Sequence, residues 1–164
     1  MKTLHLLRHA KSSWDHPHLL DSERPLNKRG KRDAPRMGEA LRERVEPMGV
    51  CTSPARRAQL TLGGVCDAWP ELARCEHSTV EALYTFSAAD VLDWIREQDD
   101  ALPALFLVGH NPAFTDVVNL LDTSAELDNL PTAGYARLAL DIGSWADLAP
   151  ACGQLEQLLF PKQL

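Results

Sequence analysis

Two histidines and two arginines stand at places in this sequence where an α/β protein does chemistry. The run Leu4-His5-Leu6-Leu7-Arg8-His9 is apolar and strand-like and ends on Arg8 and His9. A second such run, Ala104-Leu105-Phe106-Leu107-Val108-Gly109-His110, ends on His110. Between them Met48-Gly49-Val50-Cys51-Thr52-Ser53 leads into Pro54-Ala55-Arg56-Arg57. Ligands of open α/β sheets bind at the carboxyl ends of the strands. The three runs therefore deliver Arg8, His9, Arg57 and His110 to one edge of one sheet. Imidazole serves as nucleophile or general base, and guanidinium grips phosphoryl oxygens in bidentate fashion. The set handles anions and carries a nucleophile, which suits phosphoryl transfer.

As a phosphate acceptor, His9 must present one unprotonated ring nitrogen while a hydrogen bond holds the other. Arg57 follows a Ser-Pro pattern that opens a helix, and helix N-termini offer free N–H groups to anions. Spacing alone leaves open which of Arg56 and Arg57 points inward. His110 repeats the placement of His9, with Gly109 before it to permit close approach of backbone. Glu81 follows a third strand-like run, where a carboxyl group can protonate a leaving group. Arg24, Lys28 and Arg29 add positive field near this edge, whereas Lys28, Lys31 and Arg32 also read simply as solvated charge. His16-Pro17-His18 reads as an exposed loop rather than a metal site.

The elements that must position these groups alternate strand with helix, the pattern of an α/β sheet. Strands are expected near 3–8, 49–52, 75–80 and 104–108. Helices are expected over about 28–46 with Asn27 as cap, from Ser53 and Pro54 through Val65, from Ser87 to about Gln98, and after Asn111-Pro112. Ser87 and Asp90 have capping-box spacing, and Pro35 is a candidate kink in the first helix. The polar segment 10–25 is long for a strand-to-helix connection, and such loops are often functional. Residues 134–141 and part of 154–160 alternate at period two with no clear helix between them, so one antiparallel pairing is expected at the sheet edge.

The 164 residues fit one domain, 1–164, with a single sizeable core. A formal charge of −6 argues against nucleic acid as a partner. No apolar run approaches the ~20 residues of a membrane helix. The start of the chain enters a strand pattern directly, so a cytoplasmic protein without a leader is expected. The cysteines at 51, 66, 75 and 152 show no metal-ligand spacing and read as buried or half-buried thiols. The four tryptophans read as packing residues.

Four motifs in order resemble the histidine phosphatase superfamily, whose fold is phosphoglycerate mutase-like. They are Leu7-Arg8-His9-Ala10, Thr52-Ser53-Pro54-Ala55-Arg56-Arg57-Ala58, Glu81-Ala82-Leu83-Tyr84 and Val108-Gly109-His110-Asn111-Pro112. Within it, Arg8-His9-Ala10-Lys11-Ser12-Ser13-Trp14 and Arg24-Pro25-Leu26-Asn27-Lys28-Arg29-Gly30 resemble the small SixA-type phosphohistidine phosphatases. Ala10 replaces the signature glycine, and Leu60 stands where the second motif usually has glutamine. The resemblance implies a mostly parallel sheet with helices on both faces, an antiparallel edge and no cap domain. It selects Arg57 over Arg56. It implies nucleophilic attack by His9, phosphate held by Arg8, Arg57 and His110, Glu81 as proton donor, and no cofactor or metal. The implied substrate is phosphohistidine in a protein. A small phosphomonoester, or a noncatalytic phosphate- or phosphoprotein-binding role, is the alternative.

Overall fold

The computed structural model describes residues 1–164. Its sheet contains six strands: β1 (Lys2–Arg8), β2 (Val50–Thr52), β3 (His77–Thr79), β4 (Ala104–Gly109), β5 (Tyr135–Leu140) and β6 (Gly153–Leu159). Their spatial order is β3-β2-β4-β1-β5-β6. β3, β2, β4 and β1 are mutually parallel, while β5 pairs antiparallel with both β1 and β6. The antiparallel strand thus lies inside the sheet, and β6 beyond it forms the edge.

Helices α1 (Lys28–Arg42), α2 (Arg56–Ala68) and the short α3 (Pro70–Ala73) cover one face. Helices α4 (Ala88–Arg96) and α5 (Ala113–Leu121) cover the other. Period-two alternation along the strands divides the core accordingly. Leu105 and Leu107 pack with Val91, Ile95 and Val117, whereas Phe106 and Val108 pack with Met37, Leu41 and Val65. This is why the central strands read as continuous apolar runs: both faces are buried. The closest approach on the first face is at Gly38 of α1, where a Cβ would sit 2.3 Å from the Val65 carbonyl oxygen.

Several helix starts differ from the sequence expectation. Asn27 does cap α1, its side chain accepting from the Gly30 N–H at 2.9 Å. The helix ends at Arg42 rather than near 46, as the Arg44 and Val45 amides turn back to the Leu41 carbonyl ahead of Pro47. Ser53 does not cap α2, which begins at Arg56. Ser87 makes no side-chain cap on α4. Thr85 Oγ1 accepts the Ser87 N–H at 3.1 Å and donates to Asp90 at 2.7 Å instead. Trp69 and Trp145 are core residues, whereas Trp14 is 72% exposed. The four cysteines are half-buried. No helix is long and apolar enough to cross a membrane.

Candidate active site

Strand register brings the candidate residues together. Arg8 of β1 pairs with Gly109 of β4, so His9 and His110 leave neighbouring strands at the same level. Their ring centroids are 5.3 Å apart. The His9 backbone is held on both sides: its N–H donates to the Gly109 carbonyl and its carbonyl accepts from the Ala133 N–H, each at 3.0 Å. Thr52 of β2 pairs with Val108, and the Ser53 N–H donates to the Val108 carbonyl at 3.0 Å. Gly109 is needed for packing. A Cβ there would meet the Phe114 ring of α5 at 2.7 Å.

The His9 ring is oriented by its own backbone neighbour. Nδ1 lies 2.7 Å from the Ala10 carbonyl oxygen. Only Nδ1–H can donate there, so Nε2 carries the lone pair. Burial drives the His9 pKa down to about 3; the bond to Ala10 opposes this, and His110, Arg57 and Arg8 lower it further. The ring is therefore neutral at neutral pH. His110, 1% exposed, sits at about 4, first through burial and then through the charges of Arg57 and Arg8 against that of Asp21.

Three buried nitrogens in this cluster lack a partner: Arg8 Nε, Arg57 Nε and His110 Nδ1. Unpaired buried donors are costly unless something accepts from them. Arg8 is tethered by its Nη1 bond to the Leu130 carbonyl at 2.9 Å. Arg57 is 2% exposed, whereas Arg56 is exposed, which settles the choice between them. A neutral ring with a free nitrogen beside three unpartnered donors is an arrangement able to hold an oxyanion.

The family model described as histidine phosphatase superfamily (branch 1) matches residues 4–100. The chain belongs to that superfamily. An uncharacterized protein of Mycobacterium tuberculosis is 31% identical over 167 residues, covering 95% of this chain and 100% of that one. A Nakamurella multipartitia structure, proposed to be the phosphohistidine phosphatase SixA, superposes with a TM-score of 0.82 at 25% identity over 98% of this chain and 96% of that chain. The protein histidine phosphatase SixA complexed with tungstate has a TM-score of 0.79 at 21% identity, covering 98% of both chains. The fold is the minimal phosphoglycerate mutase-like one, without a cap domain.

In this histidine phosphatase Glu81 makes no bond to the cluster. It is exposed, opens a short 3-10 turn after β3, and lines a groove with Tyr84, Asp90, Trp94 and Glu97. No hydrogen bond or ion pair joins it to His9, His110, Arg8 or Arg57. Arg24 is buried rather than lending field from the surface. It bonds to Ser12 Oγ at 2.8 Å and the Ser13 carbonyl at 3.2 Å, and lies 3.6 Å over the Trp14 ring. Lys28 and Arg29 are exposed on the first turn of α1. His16 and His18 lie in an exposed loop.

Three residues of the superfamily member's site were not singled out from sequence. Ser53 was expected as a helix cap, but its Oγ lies 2.7 Å from His110 Nε2. Tyr84, quoted only as part of the Glu81 motif, lies tilted against the His110 ring with centroids 5.3 Å apart. Asp21 comes from the long loop. Its carbonyl accepts from Arg57 Nη1 at 2.7 Å, and its Oδ2 accepts from Arg57 Nη2 at 3.0 Å and from the Tyr84 hydroxyl. The signal available for Asp21 was the unusual length of segment 10–25.

Proposed function

We propose that this chain hydrolyses phosphohistidine in a protein substrate through a phosphohistidine intermediate on His9. The observation that carries this reading is the His9 ring. Its Nδ1–H is committed to Ala10, and its free Nε2 is buried among the unpartnered donors of Arg8, Arg57 and His110. In the first step Nε2 attacks phosphorus, the substrate P–N bond breaks and the substrate imidazole departs. An imidazole already protonated on its other nitrogen leaves neutral and needs no general acid. In the second step water attacks phosphorus, the P–Nε2 bond breaks, and the water proton passes to the released phosphate or solvent.

Arg8, Arg57 and His110 hold the phosphoryl oxygens in both steps. Donors preorganised in this way are worth about 10²–10³-fold each by the oxyanion-hole precedent. In this reading the two guanidiniums neutralise the oxygens, so no metal is required and turnover persists in excess chelator. The SixA likeness and the tungstate held by one relative support an oxyanion-binding phosphatase pocket. The missing cap leaves that pocket open to a folded protein, which favours a protein substrate over a small ester. The position of Glu81 does not favour an alkyl leaving group, which would need a proton.

The test is to trap the intermediate. Rapid-quench mixing with a phosphohistidine peptide yields an acid-labile, base-stable phosphoenzyme in the parent and none in His9→Ala. Tungstate binding partly survives in His9→Ala, since the arginines supply most of the anion affinity. Steady-state turnover by folded His9→Ala would overturn the assignment.

A further inference from the structure

The loop between β1 and α1 is built, and it ends on the catalytic pocket. Ser13 N–H donates to the Pro25 carbonyl at 2.8 Å, and Ser12 bridges Leu26. Arg24, buried within the loop, ties Ser12, Ser13 and Asp21 together, its Nε–H donating to Asp21 Oδ1 at 3.3 Å. This places Asp21 against Arg57 through two different acceptors, its carbonyl on Nη1 and its Oδ2 on Nη2. A guanidinium has five N–H donors in a planar fork. Asp21 takes the end formed by the two terminal nitrogens. Nε–H and the second Nη2 hydrogen remain on the adjacent edge, and Nε is the atom that lacks a partner. Asp21 thus lies one guanidinium's width from where the phosphoryl group binds.

The pair is asymmetric in depth: the Arg57 side chain is 2% exposed and that of Asp21 is 46%. Attack by the buried His9 nitrogen requires the leaving group to lie in line on the opposite side of phosphorus, which is the side open to solvent. There the leaving group meets the exposed carboxylate. Burial raises the pKa of Asp21, but the hydrogen bonds from Tyr84 and Arg57, the Arg57 charge and the Arg24 bond outweigh it and hold the pKa at about 2. Asp21 is ionised at any working pH.

We propose that Asp21 is a specificity-determining residue that screens leaving groups by charge, admitting neutral or cationic groups such as imidazole and disfavouring those with an anionic group close to phosphorus. The proposal rests on the phosphate pocket described above. Asp21 also positions Arg57, and loss of that second effect weakens all phosphates alike.

Two esters with similar alcohol leaving groups separate the two effects: glycerol 3-phosphate, whose leaving group is neutral, and 3-phosphoglycerate, whose leaving group carries a carboxylate. Their dissociation constants are measured by calorimetry for the parent, Asp21→Asn, Asp21→Ser and Asp21→Glu. The parent binds the neutral ester about tenfold more tightly, the size expected for one like-charge contact at partly screened range. In the Asn and Ser variants this ratio falls to near one, whatever common loss follows from a looser Arg57, and in the Glu variant it is largely restored. A ratio unchanged in Asn and Ser overturns the proposal while leaving the phosphatase reading intact. Failure of the parent to bind either ester or inorganic phosphate overturns the pocket assignment beneath both.

Discussion

Ser53 Oγ lies 2.7 Å from His110 Nε2 and leaves Nδ1 as the nitrogen of that ring without a partner. The Ser53 oxygen accepts from the Ala55 N–H at 3.2 Å, and Nε2 is the one acceptor within reach of its own hydrogen. With Nε2 accepting, the ring proton resides on Nδ1, the atom that is buried and unpartnered. A serine at a strand end thus selects which nitrogen of a neutral histidine donates.

Replacing Ser53 by alanine therefore frees the tautomer while keeping the ring. Turnover on a phosphohistidine peptide is expected to fall about tenfold, against about 10²–10³-fold for His110→Ala, which removes the donor itself. Nitrogen-15 imidazole shifts check the cause. The parent shows one Nδ1–H tautomer of His110 and Ser53→Ala a mixture. A variant with full activity and an unchanged tautomer would remove Ser53 from this role.

Stability should fall as the solution is acidified from neutrality. His5, His9 and His110 are lowered from 6.5 to about 4, 3 and 4, in each case chiefly by burial. Between the unfolded value and these folded values the unfolded chain binds more protons. The stability is thus fully present above about pH 6.5 and lost as pH drops towards 4. Each ring contributes a slope of up to about 1.4 kcal/mol per pH unit. Urea midpoints measured at pH 7.5, 6 and 5 should decline in that order. Equal midpoints would mean that the folded protein protonates these rings as readily as the unfolded one.

Glu81→Gln is expected to change kcat/KM by less than about threefold on both phosphohistidine and alkyl phosphate, because Glu81 is exposed and makes no hydrogen bond to His9, His110, Arg8 or Arg57. A positioned general acid is worth about 10²–10⁴-fold. A loss of that size confined to the alkyl ester would show that Glu81 swings to the leaving group when substrate binds.

What could be read from the chain followed the range of the interaction. The strand ends bearing His9 and His110 were legible because alternation and apolar runs are local and buried strands announce themselves. Ser53 was misassigned because Ser-Pro before a helix has one local appearance for two uses. Its true partner is 57 positions away. The Ser87–Asp90 spacing failed for a related reason, with Thr85 two residues earlier supplying the better geometry. Asp21 was silent, since a carboxylate in a polar loop carries no pattern and its bond to Arg57 spans 36 positions. The period-two stretches near the end were correctly strands. That β5 would insert between β1 and β6 depended on long-range pairing that alternation does not encode.

The two-sided anchoring of the His9 backbone has a consequence for how the molecule can loosen. Its amide and carbonyl belong to the central β4–β1–β5 region, the part of such a fold that opens only when the whole domain does. The segment from Lys11 to Pro25, which carries Asp21 and the exposed Trp14, is tied to itself through Arg24 and to the body chiefly through Asp21 on Arg57 and Tyr84. Breaking those Asp21 bonds leaves every strand pairing of the sheet in place. His9 on the sheet and Asp21 on the loop are therefore joined through Arg57. Changes in the loop can retune which phosphates are accepted without spending the free energy that keeps the nucleophile in place.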